Sequence, residues 1–272
     1  MPPLVQFEVL PLPRSVELAA QLPEPERLTV TCSPRHGPDE SIAVGRELRA
    51  LGHVVTVHLA ARMVRDRAHL DEMLAEMARA GVEDVFLIGG DATPPHGPWS
   101  SAVDLLPIID EHPQRPREIG IAGYPEGHPF VDSASLAEAL ERKSALASYI
   151  TTQLCFDAEA VLTWVRDTRA RGVTLPVLLG LPGVVDRRKL LEMSMRIGVG
   201  PSVAFLRKQR GLRNLLRPSR ITPDHVYDGV APRLGDRELG ITGLHYYTFN
   251  QLLDTWSWER ETRMTYRVVG HQ

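Results

Sequence analysis

The side chains able to move protons or grip a polar ligand stand in or just after short apolar runs spread along the chain. Glu8 lies in Phe7-Glu8-Val9-Leu10-Pro11, a lone carboxylate in a strand-like stretch. An isolated carboxylate in apolar surroundings is costly to ionise and tends to keep its proton, which makes Glu8 a candidate general acid. The competing reading is a paired carboxylate, or one pointing outward from an edge strand, because a strand puts every other side chain in water. His58 stands in Val57-His58-Leu59, Asp91 follows Gly89-Gly90, and Gln153 sits in Thr152-Gln153-Leu154. Tyr124-Pro125-Glu126-Gly127-His128-Pro129 and His245-Tyr246-Tyr247-Thr248-Phe249-Asn250 complete the set. Each has an ordinary explanation when taken alone. His58 suits a satisfied core imidazole, Asp91 a turn bonded to its own backbone, Gln153 a partner for an orphan backbone group, and Tyr124-Pro125 a turn that leaves His128 exposed. Their recurrence at the ends of successive strands points to one shared site.

Other chemistries lack their spacing. There is no His-x-x-x-His, His-Glu-x-x-His or Cys-x-x-Cys for zinc, so no metal site is expected. No Gly-x-Ser-x-Gly follows a strand, and Lys143 and Lys189 fall in helix-like segments, which weakens nucleophilic and Schiff-base schemes.

The elements that must position these residues alternate between short β-branched runs and longer helix-period segments, the signature of parallel βα units. Eight strands are expected, at Gln6–Pro11, Leu28–Ser33, Val54–Ala60, Asp84–Gly89, Glu118–Tyr124, Tyr149–Phe156, Pro176–Leu181 and Ile241–Thr248. Helical patterns run over Asp39–Leu51, Asp66–Ala80, Ser133–Ala147 and Asp157–Arg171, several opening with Ser or Asp and closing near Gly. This rhythm predicts an α/β fold, a single (β/α)₈ TIM barrel over residues 1–272 with an elaborated segment from Arg196 to Gly240 before the last strand. A doubly wound sheet is the competitor, but no Gly-x-Gly-x-x-Gly follows the first strand. In a barrel, catalytic groups stand at the C-terminal ends of the strands, where the polar residues above fall.

With 31 basic and 34 acidic side chains and a formal charge of -3, the chain has no global field for nucleic acid or an anionic membrane. Its densest basic stretch, Arg207-Lys208-Gln209-Arg210-Gly211-Leu212-Arg213, lacks interleaved aromatics and suits a solvated face or an anion contact. Only Cys32 and Cys155 are present, both in apolar runs, which fits a reducing cytoplasm. No window approaches a membrane span or a signal peptide, so a soluble, cytoplasmic, unprocessed protein is expected, with homo-oligomerisation a generic possibility for barrels.

The ordered motifs resemble the methylenetetrahydrofolate reductase family. Phe7-Glu8-Val9-Leu10-Pro11 resembles the family's Phe-Glu-Phe-Phe-Pro-Pro, Val57-His58-Leu59 its Pro-His-Leu-Thr, and Gly89-Gly90-Asp91 its Arg-Gly-Asp. Gly123-Tyr124-Pro125-Glu126-Gly127-His128-Pro129 is similar to Ala-Tyr-Pro-Glu-x-His-Pro, and Glu141-Arg142-Lys143 falls where a Lys-Arg-Lys occurs. Thr152-Gln153-Leu154-Cys155-Phe156-Asp157 is similar to Thr-Gln-Phe-Phe-Phe-Asp, and His245 to Gln251 resembles Phe-His-Phe-Tyr-Thr-Leu-Asn-Arg.

The resemblance implies reduction of 5,10-methylenetetrahydrofolate to 5-methyltetrahydrofolate, with NADH or NADPH as hydride donor. Glu8 and Asp91 would be catalytic, Glu8 as the acid that protonates N10. Asp91, Gln153, Tyr124 and Tyr247 would hold the folate, and His58, Gly90, Tyr124, His128, Arg142 and Lys143 the cofactor. The departures cluster at the flavin. Members that hold FAD place Arg where this chain has Gly89, and a glycine cannot replace a guanidinium on a diphosphate, so FAD is expected to be absent and hydride to pass directly. Gln251 replaces an Arg at the last strand, leaving Arg207, Lys208 or Arg210 as candidates for the folate glutamate tail. A non-redox folate-dependent methyl-transfer enzyme, or a folate-binding protein on the same barrel, is the alternative.

Overall fold

Short runs rich in Val, Ile and Leu pair edge to edge into a closed parallel barrel, and the helices between them cover its outside. The computed structural model describes residues 3–186 and 220–269. In chain order the elements are β1 (Leu4–Val9), α1 (Pro13–Ala19), β2 (Arg27–Val30), α2 (Pro38–Ala50), β3 (Val54–Ala60), α3 (Arg67–Ala80), β4 (Asp84–Ile88), α4 (Ala102–Asp110), β5 (Glu118–Gly123), α5 (Ser133–Ser144), β6 (Tyr149–Thr152), α6 (Ala158–Ala170) and β7 (Val177–Pro182). A short antiparallel ribbon, β8 (Val185–Asp186) with β9 (Arg220–Ile221), precedes α7 (Asp224–Val230), β10 (Ile241–Tyr247) and α8 (Leu252–Val269). The barrel runs β1-β10-β7-β6-β5-β4-β3-β2 and closes back onto β1. This is the expected (β/α)₈ architecture, with β10 as its eighth strand.

Helices α3 to α6 begin where side chains can take the first free N–H groups. Asp66 accepts from His69, Asp132 from Ser135, and Asp157 from Glu159 and Ala160, while Ser101 and Asp104 form a capping box on α4. Several strands are shorter than expected, and at β1 and β6 side chains claim the backbone groups that would extend them. β1 stops at Val9, since the Leu10 N–H goes to Asn250 Oδ1 at 3.0 Å and Pro11 has no N–H. β2 stops at Val30, and Ser33 pairs only with His36 across a local bridge. β6 stops at Thr152 because the Gln153 carboxamide oxygen takes the Leu154 N–H and Glu126 takes those of Phe156 and Asp157. α5 ends at Ser144, before the expected Ala147.

The apolar core lies between barrel and helices. Phe7, Leu28, Val57, Leu87, Ile121, Ile150, Leu179 and Tyr246 are buried there, on the outward face of their strands. The barrel interior is polar instead. Gln6, Glu8, Thr56, His58, Asp84 and His245 are all buried, and their hydrogen bonds join neighbouring strands at Thr56–Asp84 and Gln6–His245 and span β2 from Gln6 on β1 to Thr56 on β3. Small residues make room for this. A side chain at Gly120 would stand 2.4 Å from the Tyr149 ring, and one at Gly180 would stand 2.8 Å from the ring of Tyr247.

Candidate functional site

Glu8 is set by the seam between β1 and β10. Parallel pairing puts Gln6 beside His245 and Glu8 beside Tyr247, and the Thr248 hydroxyl donates to the Glu8 carbonyl. The chain after β10 passes through two left-handed residues, Phe249 (φ 49°) and Asn250 (φ 62°). Asn250 Oδ1 then accepts from Leu10 N–H at 3.0 Å and Ser15 Oγ at 3.1 Å, pinning the loop that follows Glu8. The Glu8 carboxylate is nearly buried, and His245 Nε2 lies 3.5 Å from its Oε2. The competing sequence reading is a paired or outward-pointing carboxylate; in the structure Glu8 is nearly buried and its neighbour is an imidazole.

Around this pair the interior is tightly furnished. The Tyr247 ring meets His245 edge-on at 4.8 Å, and its hydroxyl donates to the Thr152 carbonyl at 3.0 Å. Burial, with Glu8 close by, holds the Tyr247 phenol well above its ordinary range. His58 packs on Phe86 at 4.8 Å, and burial together with nearby His245 pushes its imidazole down to about 3, so it is neutral. Its Nε2 has no hydrogen-bond partner among the described residues.

The mouth carries the remaining candidates. Gly90 adopts φ +86°, and a Cβ there would stand 2.7 Å from that of Ala60, so the turn before Asp91 requires glycine. Asp91 itself is exposed, and its charge reaches Tyr124 and His128: it helps raise the buried Tyr124 phenol and partly offsets the burial that lowers His128. Tyr124, His128 and Phe130 form an edge-to-face series at 5.3 and 5.9 Å, ending at a Phe130 that is 90% exposed. His128 Nδ1 accepts the Phe130 N–H at 3.3 Å, leaving Nε2 as the protonated nitrogen of the neutral ring. Gln153 stands at the end of β6 with its carboxamide oxygen turned back to Leu154, so its NH₂ group is the end left for a ligand.

The structure separates the two basic residues of α5. Arg142 is exposed, whereas Lys143 is buried and donates to the Ala122 carbonyl at 3.5 Å. Burial lowers the Lys143 amine to about 8. A Cβ at Gly89 would meet nothing within 4 Å, so that position offers space and no charge. This donor set does not fit a flavin diphosphate: one expected cation is a glycine, and another is committed to a strand carbonyl. Arg207, Lys208, Arg210 and Lys189 lie outside the described residues. Sequence reasoning counted His245 among the polar strand ends but gave it no catalytic or binding role. The signal was available in the period-two pattern, which puts His245 and Tyr247 on one face, but its closeness to Glu8 follows only from closing the barrel.

A family profile described as methylenetetrahydrofolate reductase matches residues 12–214. The chain belongs to the methylenetetrahydrofolate reductase family. Methylenetetrahydrofolate reductase (NADH) 1 of Arabidopsis thaliana is 29% identical over 145 residues, covering 46% of this chain and 24% of that protein. Methylenetetrahydrofolate reductase 1 of Schizosaccharomyces pombe is 26% identical over 194 residues, covering 66% of this chain and 31% of its own. A relative from Caenorhabditis elegans with NADPH in its name is 34% identical over 126 residues, covering 44% and 19%. The chain thus spans about a fifth to a third of the length of these relatives. Among solved structures, a Clostridium thermocellum protein described as binding two copies of 5-methyl-5,6,7,8-tetrahydrofolic acid superposes with a TM-score of 0.61 at 12% identity, covering 90% of this chain and 88% of that one. That likeness shows the shared barrel. The profile match stops short of both β1 and β10, so Glu8 and His245 rest on the geometry above.

Proposed function

We propose that this barrel reduces 5,10-methylenetetrahydrofolate to 5-methyltetrahydrofolate, taking hydride directly from NADH or NADPH. The observation that carries the reading is Glu8, a nearly buried carboxyl at the barrel mouth whose neighbour is His245, in a chain of this family. In the substrate a methylene bridges N5 and N10. Transfer of the Glu8 proton to N10 breaks the C–N10 bond and leaves an N5 iminium. Hydride from the dihydronicotinamide adds to that carbon to give the N5-methyl group, and Glu8, now a carboxylate, recovers a proton from solvent after product leaves. General-acid assistance of this kind is worth roughly 10²- to 10⁴-fold.

The other residues bind and orient. The Gln153 NH₂ group suits a pterin carbonyl, and Tyr124 and Tyr247 offer aromatic surface to the pterin. Asp91 contributes negative charge where the iminium develops. The Tyr124, His128 and Phe130 rings offer a face for a planar heterocycle of the hydride donor, and His58 and Gly90 line the approach. The glycine at position 89 and the commitment of Lys143 to the Ala122 carbonyl, which leave Arg142 as the one exposed cation of the matched set, support direct transfer without FAD.

The test is oxidation of NADH or NADPH by the purified protein with methylenetetrahydrofolate, with formation of 5-methyltetrahydrofolate followed by chromatography. Turnover is expected without added FAD. No product with either nicotinamide, with or without FAD, would falsify the reading, and methyl transfer to an acceptor without nicotinamide consumption would establish the alternative.

A further inference from the structure

Behind Glu8 a string of hydrogen bonds crosses the barrel interior to Asp84, the first residue of β4. Tyr149 Oη donates to Asp84 Oδ1 at 2.9 Å, and Thr56 Oγ1 donates to Asp84 Oδ2 at 2.7 Å. Gln6 Nε2 donates to Thr56 Oγ1 at 2.9 Å, and Gln6 Oε1 lies 3.4 Å from His245 Nδ1. The string ends at His245 Nε2, 3.5 Å from Glu8 Oε2. No sequence motif pointed to Gln6, Thr56 or Asp84, and the reaction above uses none of them.

The direction of each bond follows from what each group can give. An ionised carboxylate only accepts, so both hydroxyls must donate to Asp84. Thr56 has one hydrogen, and once that is committed its oxygen can only accept, which turns the Gln6 NH₂ toward it. The Gln6 oxygen is then left facing His245, and a carbonyl oxygen cannot donate, so the proton of the neutral imidazole must sit on Nδ1. In that neutral ring Nε2 is bare. A bare nitrogen beside a carboxylate would set two acceptors against each other, whereas a carboxylic acid donates O–H to that nitrogen.

We propose that Asp84 fixes the tautomer of His245 through Thr56 and Gln6, so that His245 presents a bare Nε2 and keeps the Glu8 carboxyl in its proton-donating form. His245, Gln6, Thr56 and Asp84 are thus positioning residues, acting on substrate through Glu8. The proposal rests on the reductase reading for the use made of that proton.

The groups facing the pair are compatible. His58 on β3 is neutral, the Tyr247 and Tyr124 phenols keep their protons, and the Cys155 thiol after β6 is raised well above its ordinary range by burial. None supplies the positive charge that would draw the proton off Glu8. Asp84 is raised to about 6 by burial, so the polarity of the string is set at neutral pH and relaxes in acid, when Asp84 gains a proton of its own.

The experiment is ¹⁵N NMR of the full chain with labelled histidine, the His245 signals assigned by their loss in His245→Gln. Long-range couplings distinguish an Nδ1–H ring from an Nε2–H ring. Above neutral pH the expected form is Nδ1–H, the minor tautomer of free histidine. Thr56→Val and Gln6→Met should switch it to Nε2–H, while Thr56→Ser, which keeps the hydroxyl, should retain Nδ1–H. In Thr56→Val the high-pH fall of kcat/KM should move to lower pH, because an Nε2–H would stabilise the Glu8 carboxylate. An Nε2–H tautomer or an imidazolium in the unsubstituted protein overturns the proposal, whether or not any variant folds. So does an Nδ1–H form unchanged by Thr56→Val. The tautomer is read without folate, so an Nδ1–H form in a protein lacking reductase turnover would refute the reductase reading and leave the string standing.

Discussion

Glu8 and its imidazole neighbour define what one atom at this site can accomplish. Replacing Glu8 with Gln keeps the size and the hydrogen-bonding reach of the side chain but removes its acidic proton. Turnover should fall by roughly 10²- to 10⁴-fold while folate affinity, read by fluorescence or calorimetric titration, stays nearly unchanged. An equal loss of binding would assign Glu8 to positioning. The apolar neighbours Phe7, Val9 and Leu10 made the burial of Glu8 legible in the sequence, because alternation alone would have allowed an outward side chain. Its partner was not legible, since His245 arrives through the closure of the barrel, at the other end of the chain. Arg142 and Lys143 show a different limit. Adjacent in sequence, they read as one basic motif, yet successive residues on an α-helix point about 100° apart, so one meets solvent and the other is buried against β5.

At the level of elements, the strands were readable and their ends were not. Branched and aliphatic runs locate β3 to the residue, whereas β1 and β6 end where side chains, Asn250 and Glu126 among them, claim backbone N–H groups just beyond the strand. The interior of the barrel depends on pairs of elements in the same way. Tyr149 on β6 reaches Asp84 on β4 only because the strand between them carries Gly120, where an added Cβ would lie 2.4 Å from the ring and 2.6 Å from its hydroxyl. Gly120→Ala should therefore displace Tyr149 and cost about 1–3 kcal/mol as over-packing. Chemical denaturation measures this, and pairing it with Tyr149→Phe separates volume from the hydrogen bond. A loss much smaller in the Gly120→Ala, Tyr149→Leu double variant would confirm that the clash is with that ring, whereas additive losses would place the damage elsewhere.

For the molecule as a whole, a polar barrel interior ties global stability to pH. Burial is the largest influence on Asp84 and raises its carboxyl from 3.8 to about 6, against the opposing hydrogen bonds from Thr56 and Tyr149. A carboxyl whose folded value is raised binds its proton more tightly in the folded state, so stability is greatest in acid and declines as pH climbs. The decline begins near the unfolded value and is complete once pH exceeds the folded value of about 6. Over a range from about pH 4 to about pH 7.5 this one group should remove roughly 2 kcal/mol from the unfolding free energy. Asp84→Asn cannot ionise and should lack that slope. Whatever the fixed cost of fitting an amide between two hydroxyls, the difference in unfolding free energy between Asn and Asp forms should shift in favour of Asn by that amount as pH rises across the window. Carboxylates elsewhere titrate in both proteins and cancel in the difference. Urea unfolding of the two forms at several pH values measures it, and parallel pH profiles would show that Asp84 ionises as freely inside the barrel as in the unfolded chain.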